Sequence, residues 1–102
     1  MKISKKLTVK NKAGFHLRVA SMICKKTASF NGEVCLIKGP YRADCKSCLD
    51  LLAIMAPMGV ELTLEVDGSD ENETNSLVNA ITEMFNTKFG EDEFAPNAAS
   101  AS

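Results

Sequence analysis

The chain has 102 residues, 45% hydrophobic and 25% charged, which suits one folded domain and leaves no room for a second. No apolar run approaches the ~20 residues of a bilayer-spanning helix, and the first residues, Met1 to Lys6, lack the apolar stretch of a secretory signal, so a cytoplasmic protein without membrane insertion is expected. Six Gly, three Pro, one Tyr, no Trp and a net charge of -1 argue against a disordered chain, a stacking platform for single strands or a duplex-binding domain, and no nucleic-acid partner is expected.

Ile3, Leu7 and Val9 share one face of a period-two pattern and predict a strand. After Gly14, the residues Ala20, Ile23, Cys24, Thr27 and Ala28 repeat at helical spacing until Asn31-Gly32 stops them. Val34 to Lys38 reads as a short strand, Gly39-Pro40 as a turn and Tyr41 to Asp44 as the returning strand. Leu49, Leu51, Leu52 and Met55 predict a short helix after Ser47, ended by Pro57 and Gly59, and Val60, Leu62, Leu64 and Val66 alternate with polar residues as a further strand. Asp70 and Glu73 form a capping-box pattern ahead of the stripe Leu77, Val78, Ile81, Met84 and Phe85, which Gly90 closes. The order β-α-β-β-α-β-α, with a dry sheet face and three amphipathic helices to cover it, predicts a two-layer α+β sandwich over residues 1–90. Residues 91–102 (EDEFAPNAASAS) show no periodicity and are expected to form a flexible tail, within which Phe94 is the residue able to dock back.

The only histidine, His16, stands where a permissive glycine turn meets the start of the first helix. The free amides of a helix's first turn, here those of Leu17 and Arg18, welcome a tetrahedral anion, and a neutral ring nitrogen beside them is a nucleophile for phosphorus. Arg18 adds a forked cation for the incoming phosphoryl charge. The plainer alternative is a histidine that only caps the helix.

Gly14-Phe15-His16-Leu17-Arg18-Val19-Ala20 resembles the active-site stretch of the HPr family, the histidine-containing phosphocarriers of the phosphoenolpyruvate-dependent sugar phosphotransferase system, whose pattern is G-[LF]-H-x-R-P-A. Ala43 to Ser47 resembles the segment around the family's regulatory serine. Met58 to Leu62 and Asp67 to Glu71 resemble its last strand and the opening of its last helix, so the likeness runs over about residues 2 to 88. It implies an open-faced sandwich of a four-stranded antiparallel sheet and three helices, acting as a monomer without metal or organic cofactor. It also implies a relay in which enzyme I passes a phosphoryl group to the δ nitrogen of His16, assisted by Arg18, and His16 passes it to a sugar-specific enzyme IIA.

Carried over position by position, the resemblance implies a docking centre of Phe15, Leu17, Met22, Cys48 and Leu49 ringed by Arg18, Lys25, Lys26 and Lys46. It also implies regulatory phosphorylation of Ser47 by a serine kinase/phosphorylase, although Ser47-Cys48-Leu49-Asp50 already has the form of a helix cap. Positive charge around an apolar patch suits acidic partners, and residues 1–50 hold eleven Lys/Arg against three Asp/Glu while residues 51–102 hold one against ten, predicting a basic and an acidic face. The chain departs from the pattern at Val19, where proline is usual, so a less preorganised site is expected. Asp50, where a basic or small residue is common, is expected to weaken or redirect one partner.

Cys45-Lys46-Ser47-Cys48 is a lone CxxC, and Cys24 and Cys35 complete the thiols. Reduced cysteines are expected in a cytoplasmic protein, and a zinc site would have to draw on Cys24, Cys35 or His16. Two further readings therefore stand beside the carrier. One is a regulatory binding module of the same fold, either on the nitrogen-related branch or dependent on Ser47 phosphorylation, and the other is a thiol-redox or zinc module.

Overall fold

The computed structural model describes residues 1–91. Strand β1 (Lys2–Thr8) is followed by helix α1 (Leu17–Thr27), strands β2 (Gly32–Lys38) and β3 (Tyr41–Asp44), helix α2 (Cys48–Ala53), strand β4 (Glu61–Gly68), helix α3 (Glu71–Asn86) and a short 3-10 turn, Lys88–Gly90. This is the succession that the hydrophobic periods predict, with the last turn added.

The four strands form one antiparallel sheet in the order β1-β4-β2-β3. β4 has the strictest alternation in the sequence, and it lies in the middle, pairing Leu62 with Leu7 on one side and Leu64 with Leu36 on the other. Its Leu62, Leu64 and Val66 are wholly buried, and the helices cover that face. The fold class is the expected α+β open-faced sandwich. Edge strand β1 carries exposed Lys2, Lys5 and Lys6, which discourage pairing with another sheet edge.

Local chemistry explains the helix boundaries. Asp70 caps α3 by accepting the Glu73 amide at 3.0 Å, and Ser47 caps α2 by accepting the Asp50 amide at 3.2 Å. α2 stops at Ala53, short of the expected Met55, which takes the left-handed φ +50° and is 74% exposed, and Pro57 follows two residues on. At the end of α1 the hydroxyl of buried Thr27 donates to the carbonyls of Ile23 and Cys45, at 3.0 and 3.1 Å, tying the helix to the segment that leads into α2.

On the open face of the sheet the two oppositely charged halves of the chain interleave. Because β4 lies between β1 and β2, Glu65 meets Lys2 at 3.7 Å and Arg42 at 2.9 Å on the open face of the sheet. Arg42 holds the Glu65 carboxyl below its ordinary value. The amino-terminal ammonium donates to the Gly68 carbonyl at 2.8 Å and lies 3.8 Å from Asp67.

Candidate functional site

The approach to α1 is a tight turn. Gly14 has φ +67°, and a Cβ added there would lie 2.6 Å from the Ala56 carbonyl oxygen. Only glycine accommodates both the left-handed backbone and that close approach. The Asn11 side chain, fully buried, donates to the Gly14 carbonyl at 2.8 Å, and the Phe15 amide donates to Ala56 at 2.9 Å. The first bond closes the turn, and the second docks the segment before the histidine onto the chain that follows α2.

His16 occupies the N-cap of α1 in an extended conformation, φ -145° and ψ -177°, with no side-chain hydrogen bond to the helix. The ring is half-buried, and the helical ladder begins with the Ala20 amide donating to the His16 carbonyl at 3.0 Å. The amides of the first turn are therefore not taken up by the helix itself. The geometry is that of an imidazole standing at the electropositive end of an eleven-residue helix without being used as its cap.

Arg18 does not extend freely into solvent. Its guanidinium donates to the Phe89 carbonyl at 2.6 Å and lies 3.3 Å from the Met22 sulfur. Phe89 is fully buried at φ +52° in the 3-10 turn and packs edge-on to Phe15, with ring centres 6.1 Å apart, while Phe85 lies 5.0 Å from Phe89 and 6.0 Å from Phe15. Phe15, placed by the resemblance in the docking centre, is thus a half-buried wall whose ring packs on Phe85 and Phe89. The turn that reverses the chain at Gly14 carries its ring inward.

Glu91 completes the surroundings. Its carboxylate accepts the Lys12 and Ala13 amides at 2.7 and 2.9 Å, and those two bonds, Ala13 first, hold its pKa below the ordinary value, with Arg18 and His16 near enough to add to the effect. By its sequence this residue opens the expected tail; residues 92–102, including Phe94, lie outside the described residues. Phe89 and Glu91 carry no pattern signal, because their bonds to Arg18, Lys12 and Ala13 join residues over 70 apart in the chain, whereas Asn11 makes a local bond three residues on that hydrophobic periodicity does not mark.

Among the remaining residues singled out from sequence, Leu17 and Leu49 are 64% and 78% exposed, Met22 and Cys48 are half-buried, and Lys25 and Lys26 are exposed in the last turn of α1. Lys46 is committed elsewhere: its ammonium donates to the Phe30 and Gly32 carbonyls at 2.6 and 3.0 Å. Asp50 is likewise structural, since its carboxylate accepts the Asp44 amide at 3.1 Å and its carbonyl accepts the Tyr41 hydroxyl. Val19 is completely buried in the first turn of α1. Cys45 and Cys48 do not converge as a CxxC pair. Cys45 is buried in the core, where desolvation pushes its thiol well up, and Cys48 meets Cys24 instead. Among the described residues no three His, Cys, Asp or Glu side chains group as a metal-ligand set, and no helix is long and apolar enough to cross a membrane.

Comparison with known proteins agrees with this geometry. Residues 3–87 match the family described as "PTS HPr component phosphorylation site". The chain is 33% identical over 90 residues to Phosphocarrier protein HPr of Treponema pallidum, covering 88% of this chain and 99% of that protein. It is 30% identical over 90 residues to Phosphocarrier protein NPr of Shewanella violacea, covering 88% and 96%. Its fold superimposes on an HPr crystal structure from Thermoanaerobacter tengcongensis with a TM-score of 0.78 at 22% identity, over 87% of this chain and 97% of that one. A mycoplasma histidine-containing phosphocarrier gives 0.75 at 25% identity, over 84% and 96%. With a histidine at the mouth of α1, the open-faced sandwich and a family match over most of its length, this chain belongs to the HPr family of phosphocarrier proteins of the phosphotransferase system.

Proposed function

We propose that this protein accepts a phosphoryl group from enzyme I on His16 and donates it to a sugar-specific enzyme IIA. The observation that carries the reading is the uncapped imidazole at the N-terminus of α1. In the accepting step a bond forms between phosphorus and a ring nitrogen, the δ nitrogen by family resemblance, as the phosphorus leaves its donor on enzyme I; donation runs the same exchange outward. In this reading the amides of Leu17 and Arg18 receive the phosphoryl oxygens, whose negative charge the helix end favours. Arg18 here gives up its bond to the Phe89 carbonyl for one to phosphate.

Exposed Leu17 and Leu49, together with exposed Lys25 and Lys26 in the last turn of α1, support docking of acidic partners. Regulatory phosphorylation of Ser47 belongs to the same proposal. It would replace the hydroxyl that caps α2 and add about two negative charges beside the docking face, changing partner choice. A kinase that leaves the protein unmodified, or transfer from enzyme I unchanged after modification, removes that part of the proposal.

The test mixes the protein with enzyme I and phosphoenolpyruvate. One acid-labile phosphoryl group is expected per chain, absent in His16→Ala and transferable to enzyme IIA. The likeness to an NPr favours a second reading, a carrier on the nitrogen-related branch. Labelling of His16 with no onward transfer to any sugar-specific acceptor would select that branch, and no labelling at all would overturn both.

A further inference from the structure

The four thiols sort into three environments. Cys45 is wholly buried in the core, and Cys35 lies on the open face of the sheet beside Arg42 and Glu65. Cys24, in α1, and Cys48, the first residue of α2, are both half-buried and face each other with sulfurs 2.8 Å apart. Carbon atoms rest against one another at about 3.5–4.0 Å, and a disulfide bond is about 2.0 Å long. The two sulfurs are thus already inside ordinary contact and need less than about 1 Å of movement to bond.

We propose that Cys24 and Cys48 form a reversible disulfide that fastens α1 to α2, with a low-molecular-weight disulfide such as oxidised glutathione as the oxidant. Burial, then the adjoining Cys48 thiol, pushes the Cys24 thiol up to about 12, so Cys24 is the poorer nucleophile and the first attack falls to Cys48. Cys48 gives up its proton and attacks one sulfur of the oxidant, expelling the first thiol as the mixed disulfide forms. With Cys48 capped, its charge no longer opposes ionisation of Cys24. Cys24 loses its proton, attacks the Cys48 sulfur and expels the second thiol. Two protein thiols and one small disulfide become one protein disulfide and two small thiols, the two electrons passing to the oxidant.

Cytosolic disulfides are mostly of this transient kind, and partly exposed ones are the labile ones. Closing the bond would pin the start of α2, with the Ser47 cap and exposed Leu49, to the middle of α1. The pairing crosses the CxxC spacing, which is why sequence inspection alone points to the wrong partner.

The test equilibrates the full chain in glutathione buffers of rising oxidised-to-reduced ratio, quenches with an alkylating reagent and maps the peptides. Four alkylated cysteines are expected under reducing conditions. As the ratio rises, two alkylation sites should be lost, the chain should lose the mass of two hydrogens, and one linked peptide should join Cys24 to Cys48. Cys35→Ser should keep that link, and Cys48→Ser should abolish it. A link through Cys35 or Cys45, a glutathione adduct that persists unresolved on Cys48, or four alkylated thiols at every ratio would overturn the proposal. The wild-type map decides the matter even if a variant folds poorly, and the readout stands whether or not His16 accepts phosphate.

Discussion

Gly14 and Glu91 bracket His16 from opposite ends of the chain, and each makes a sharp prediction. Gly14→Ala places a Cβ against the Ala56 oxygen and a side chain in the left-handed region, so it should destabilise the fold by about 1–3 kcal/mol. That should lower the denaturant midpoint without changing its slope, and an unchanged midpoint would show that the turn tolerates a side chain. Glu91 has a depressed folded-state pKa, so its contact is fully present above the ordinary carboxylate value and is lost as pH falls through the depressed one. Amide resonances of Lys12 and Ala13 should therefore titrate together with a midpoint below the usual glutamate range, and Glu91→Ala should remove that titration. Resonances that stay flat through the acid range would mean that the carboxylate is not bound there.

At the scale of elements, the caps and first turns of α1 and α2 differ in purpose. α2 has a working cap, and Ser47→Ala should cost about 1 kcal/mol, read from thermal or denaturant unfolding. No measurable loss would mean that Asp50, through its bond to the Asp44 amide, holds the helix start alone. α1 has no side-chain cap, so its first-turn amides are not held by the helix or by His16. Val19 occupies the third helical position, where an amide has no partner in the ladder, so proline fits the backbone there and stiffens it. Val19→Pro should transfer phosphate from enzyme I at least as fast as the parent; a slower variant would show that buried Val19 is needed for packing more than proline is for rigidity.

Across the sheet, the separation of positive and negative charge along the chain is offset in space, because β4 brings Glu65 between Lys2 of β1 and Arg42 of β3. Exposed ion pairs of this kind add little stability. A local pair of positive charges remains in Lys25 and Lys26, both exposed in the last turn of α1. Transfer rates from enzyme I should fall as ionic strength rises, more steeply in the parent than in a Lys25→Ala, Lys26→Ala double variant. Equal slopes would place the steering charge elsewhere.

The sequence by itself determined the order of elements, the apolar faces, the Ser47 and Asp70 caps and the position of His16 at a helix start. Each depends on neighbours three or four residues apart, or on strict alternation, and such local patterns are written in one dimension. Tertiary structure alone decided that Phe15 turns inward, that Arg18 rests on Phe89, that Lys46 and Asp50 serve the backbone, and that Cys48 meets Cys24 in place of Cys45. Those contacts join residues distant in the chain, or depend on which way a side chain leaves a turn. Both are set by the packing of sheet against helices, which no spacing along the chain encodes.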